Sequence, residues 1–99
     1  MREIPERLAL QMGYTRAEFL ATLDAAFGPV PRQADNGRTV EVPVGGGRVS
    51  IRLGDDRQRR IASLVLPLLE VDFHFEGLDP LERRRFYEAF QRSFHKGGG

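Results

Sequence analysis

The run from Ile61 to Leu78, IASLVLPLLEVDFHFEGL, constrains this chain more than any other, because it is the longest stretch able to bury itself. Read back from Phe75, the residues Phe75, Phe73, Val71 and Leu69 are apolar and alternate with His74, Asp72 and Glu70. That is the period-two pattern of a strand with one face on a core and the other in water. Upstream of Pro67 the alternation is lost. Ile61, Ala62, Leu64, Val65 and Leu66 place aliphatic carbon on both faces, as in a strand covered on both sides. Pro67 supplies no ladder N–H, so it predicts an edge position or a bulge where the facing shifts by one residue. The β-branched and aromatic content and the stop at Gly77 predict one long, kinked strand; Leu64 to Leu69 taken alone also fits a helix.

The elements around this strand are read from their punctuation. Thr15 followed by Glu18 forms a capping box, Tyr14 can staple to Phe19, and Gly28 with Pro29 stops the helix they start. Its apolar stripe is Phe19, Leu20, Leu23, Ala26 and Phe27. Pro29 to Gly37 reads as a surface connection with turn chemistry in Asp35, Asn36 and Gly37. A hairpin follows: Val40, Val42 and Val44 alternate with polar residues or proline, as do Val49, Ile51 and Leu53, and Gly45 to Gly47 joins them. Parity requires an even loop, since a three-residue one would set Val42 against Ser50. Pro43 places the first of these strands at a sheet edge.

Gly54, Asp55 and Asp56 read as the next turn, leading through Arg57 to Arg60 into the long strand. A seven-residue hairpin strand then covers only the first half of its successor. About ten residues from Leu66 onward are left without a partner, and an unpaired edge invites another strand. Asp79 as N-cap and Pro80 at the first helical position open a final helix. Phe86, Phe90 and Phe94 give it a core-facing stripe, and Gly97 is expected to end it. Met1 to Gly13 is ambiguous: Leu8 and Met12 fit a short helical turn after Pro5, poorly ordered unless it docks.

The expected architecture is α+β, in the order α-β-β-β-α, with a three-stranded antiparallel meander and both helices packed on one face. Val40, Val42, Val49, Ile51, Leu53, Phe73 and Phe75 should form the core with Phe19, Leu23, Phe27, Phe86, Phe90 and Phe94. The aliphatic surface near Ala62, Leu64, Leu66 and Leu68 is then left in water, and a patch of that kind marks an interface.

A length of 99 residues fits one domain, residues 1–99, with poor order expected at 1–13 and 97–99. With no cysteine, disulfides, thiol nucleophiles and thiolate metal sites are excluded. The N-terminus MREIPERLALQMG mixes acids with bases and has no long apolar core, so neither a signal peptide nor a membrane span is expected, and a cytoplasmic location is. A formal net charge of +1 argues against global attraction to polyanions but leaves local arginine clusters open.

Three clusters are candidate sites. Arg83, Arg84 and Arg85 lie in the first turns of the last helix, where the dipole disfavours cations, and with Arg92 and Lys96 they suggest an anion-binding patch; the plainer reading is pairing with Asp79, Glu82, Glu88, Glu70 or Asp72. Asp72, His74 and Glu76 share one strand face, which suits a metal or acid–base site, but no second histidine joins them and a plain polar face is preferred. Gly45 to Gly47 lacks the lysine and strand-to-helix context of a phosphate loop and reads as a turn. Tyr87, one residue off the phenylalanine line, is the aromatic expected at the rim.

These observations favour a small non-enzymatic interaction module that self-associates as a homodimer through its long third strand, needing no cofactor or metal. A separate protein partner remains open. The alternative is binding of RNA or another polyanion by Arg83 to Arg85, Arg92 and Arg57 to Arg60. A site built on Asp72, His74 and Glu76 is the third reading.

Overall fold

A computed structural model of the chain describes residues 3–29 and 37–95. These hold five strands and two helices: β1 Arg7–Met12, α1 Arg16–Phe27, β2 Thr39–Val44, β3 Gly47–Leu53, β4 Arg57–Ile61, β5 Leu64–Glu76 and α2 Pro80–Ser93. The α+β class is as expected; the three-stranded meander is not. The sheet is antiparallel with the order β1-β5-β3-β2, and β4 pairs with β5 alone.

Both helix starts follow their sequence signals. The Thr15 hydroxyl accepts from the Glu18 N–H while the Glu18 carboxylate accepts from the Thr15 N–H, and Asp79 and Glu82 repeat the arrangement at α2. Gly28, at φ +81°, caps α1. α2 ends at Ser93, capped by Phe94, and not at Gly97, which lies outside the described residues, as does the 30–36 part of the surface connection. The hairpin has the even loop that parity demanded. Val42 faces Val49 across a two-residue turn at Gly45 and Gly46, and Pro43 lies on the edge strand β2.

One core lies between the sheet and the two helices. Val40, Val42, Val49, Ile51, Leu53, Leu69, Val71, Phe73 and Phe75 meet Phe19, Leu23, Phe86, Phe90 and Phe94 there, with Tyr14 and Leu78. The aromatic rings knit the layers together: Phe73 meets Phe90 edge-on at 5.0 Å, Phe19 lies 4.8 Å from Phe94, and half-buried Phe27 stacks on Phe86 at 5.0 Å.

Three expectations about the long strand are overturned together. Met1 to Gly13 supplies no helical turn: Arg7–Met12 is a strand that docks along β5, Met12 against Leu69 and Arg7 against His74. Its own alternation, Leu8, Leu10 and Met12 toward the core, is the reason. The stretch from Leu66 onward is therefore not unpaired. β1 covers one edge of β5 up to His74, and β3 covers the other from Val71 to Glu76.

Gly54 to Asp56 is also not the turn between these strands. Leu53 pairs with Val71 and Arg57 with Leu68, so three residues on one strand oppose two on the other. This is a one-residue bulge in a continuous ladder; it shifts the facing of the strand that carries β3 and β4, while β5 keeps its alternation through Pro67, where the shift was expected. Pro67 itself pairs with Gln58 in unbroken register. The true turn is Ala62 and Ser63, with Ala62 in the left-handed region at φ +53°.

Candidate interaction surface

Beyond the bulge, the ladder leaves the body of the molecule. β4, the turn and the first part of β5, Arg57 to Leu68, form a two-stranded arm. β2 reaches back only to Arg52 on β3, and β1 only to Leu69 on β5, so neither outer edge of the arm is paired among the described residues. The helices do not cover it: all five β4 residues are exposed, and so are Leu64, Val65 and Leu66. Ile61 keeps 50% of its surface in water, Leu64 60%, Val65 45% and Leu66 42%. A lone hairpin is at best marginally stable in water, and these side chains belong to the types most often buried.

The base of the arm is clamped. Asp56 accepts the Arg16 backbone N–H at 2.6 Å, and the Arg16 guanidinium donates to the Gly54 carbonyl at 2.9 Å. Asp55 pairs with Arg38 at 2.5 Å and with Arg16 at 3.6 Å. The two acids thus tie the bulge to the first turn of α1 and set the direction in which the arm leaves.

The register sorts the arm into faces. Leu64, Leu66 and Leu68 pair with Ile61, Arg59 and Arg57, on the face turned away from the helices, while Val65 and Pro67 pair with Arg60 and Gln58 on the other. The apolar face borders a groove of about 420 Å³ lined by Gln11, Arg59, Ile61, Leu66 and Leu68. Of the interface residues taken from the sequence, Leu64, Leu66 and Leu68 are brought together, whereas Ala62 is spent on the turn and Ile61 takes its place. Ile61 was missed because its partner depends on a turn that carries no glycine, asparagine or proline.

The arginines of α2 do not act as a set. Arg83 is committed to structure: its guanidinium donates to the carbonyls of Ile4 at 2.7 Å and Leu78 at 2.9 Å, tying the N-terminal segment to the start of the helix. Arg84 is half-buried and also has a partner. Arg85 is exposed, and exposed Arg92 lies near Glu88, Gln91 and His95 toward the far end of the helix.

Asp72, His74 and Glu76 do share a face, but no three acids or histidines among the described residues are grouped to hold a metal ion. Glu76 serves an ion-pair network. Arg48 grips it through two hydrogen bonds of 3.2 and 3.3 Å, and the Ser50 hydroxyl donates to it at 2.8 Å. The Arg48 hydrogen bond, then that of Ser50, hold the Glu76 carboxyl below its usual pKa, and the same contact raises that of Arg48.

The chain matches no protein-family model, no curated protein and no solved structure. The class defined by its elements is an α+β domain, and no helix among the described residues is long and apolar enough to cross a membrane.

Proposed function

We propose that this protein is a non-enzymatic interaction module that self-associates as a symmetric dimer through the β4–β5 arm. The observation that carries the reading is the arm itself, a ribbon with both edges unpaired and four large aliphatic side chains about half in water. A second copy is favoured by the distribution of charge. Of 15 bases and 14 acids, the arm holds Arg57, Arg59, Arg60 and no acid, which leaves the remainder two charges negative. The arm of one copy is thus attracted to the body of another. Direct pairing of β4 with β4 about the two-fold axis is disfavoured, because it sets arginines against arginines; a two-fold arrangement in which the Ile61, Leu64 and Leu66 face of each arm lies against the body of the other copy avoids this.

Leu66→Asp places a charge in the middle of the contact. Light scattering should then report the mass of one chain where the parent protein reports two, with an unchanged circular dichroism spectrum. A parent protein that scatters as one chain at high micromolar concentration removes the reading.

A second reading rests on the same arginines. Among the described residues Arg57, Arg59 and Arg60 enter no ion pair, and they line a projecting ribbon, a form suited to a polyanion such as single-stranded RNA. It requires affinity that falls steeply with salt and is lost when the three are replaced by alanine.

A further inference from the structure

In the body of the sheet, outside the arm, the face turned away from the helices is polar, and its charges divide into a closed group and an open one. Arg48, Glu41 and Glu76 are closed on one another, with Arg48 3.3 Å from Glu41 and 3.2 Å from Glu76. Arg7 on β1, Asp72 on β5 and Arg52 on β3 are exposed on the same face, and among the described residues their side chains enter no ion pair. Asp72 stands between Ala9 on one side and Arg52 on the other, and Arg7 is opposite His74, two residues along β5.

Ala9 contributes only a methyl group, so the space beside Asp72 is open. A depression of about 460 Å³ results, lined by Arg7, Ala9, Thr39, Arg52, Asp72 and His74, within the range of small-ligand sites. Glu70, the next acid along β5, pairs in register with Gln11 and lies outside it.

Three neighbouring strands therefore present cation, anion, cation, over a span of roughly 10 Å between the outer two. A bare anion such as phosphate satisfies the arginines and leaves Asp72 facing a like charge. The complement of the pattern is anion, cation, anion. We infer that this depression binds a dicarboxylic α-amino acid, with its carboxylates on the planar forks of Arg7 and Arg52 and its ammonium group on Asp72.

The test titrates the full chain with L-glutamate, followed by amide chemical shifts and calorimetry. Saturable shifts are expected around residues 7–9, 50–52 and 72–74, with succinate, which lacks the ammonium, and L-glutamine, which lacks one carboxylate, each about tenfold weaker or more. Arg52→Gln should weaken glutamate binding by about tenfold or more at an unchanged melting temperature, and Asp72→Asn should erase the preference for glutamate over succinate. Absence of saturable shifts at about 10 mM L-glutamate overturns the inference, as does succinate or inorganic phosphate binding the parent protein as well as glutamate. Leu66→Asp, on the arm, should leave the titration unchanged, so this inference and the dimer stand or fall separately.

Discussion

Gly47 shows how closely single residues are fitted in this sheet. A Cβ at that position would strike the Glu76 carbonyl and come within 2.7 Å of that of Gly77, both backbone atoms with little room to yield. Gly47→Ala should therefore destabilise the fold by about 2 kcal/mol or more, read as a lower urea midpoint. Gly46, with nothing near its absent side chain, should accept alanine at far smaller cost. Glu76 gives the pH dependence. Its pKa is depressed in the folded state, so its contribution to stability is present above the ordinary carboxylate pKa and is lost as pH falls through the depressed value. Glu76→Gln should flatten the acid side of the stability profile, and a mutant with the parent's acid limb would show that the Arg48 pair contributes nothing measurable. In the core, Phe90→Ala removes the ring that joins Phe19, Phe73, Phe86, Tyr87 and Phe94, at a cost of about 3 to 5 kcal/mol in chemical unfolding.

At the scale of elements, the arm is the least stable part, since its ladder stands without cover on either face. Amide exchange of Arg57 to Leu68 should be faster than that of Leu69 to Glu76 at low protein concentration, and should slow with rising concentration if copies cover one another. Ala62→Gly relieves a left-handed alanine and should slow exchange in the arm, by up to about 1 kcal/mol in local stability. The same elements show where sequence signals suffice. Both helices were legible from their caps and the β2–β3 register from parity, because each rests on chemistry local to a few residues. β1 was not, since Pro5 and the spacing of Leu8 and Met12 imitate a helix start, and only docking along β5 selects the strand. The arm was half legible: the apolar spacing of Leu64, Leu66 and Leu68 announced an uncovered face. Its length was hidden, because Ala62 and Ser63 form a turn without turn residues while Gly54 to Asp56 offer turn residues at a bulge.

For the whole molecule, the consequence is a separation of surfaces. One sheet face meets the helices, the opposite face carries Arg7, Asp72 and Arg52 in the open, and the arm carries most of the exposed aliphatic surface away from both. Folding of the single chain covers the core and leaves the arm in water, so a second copy is what would cover it. Sedimentation velocity over a concentration series up to high micromolar tests this most directly. A weight-average mass rising from one chain toward two is expected, with Leu66→Asp holding the series at one chain; a parent protein that sediments as a single chain throughout contradicts the dimer.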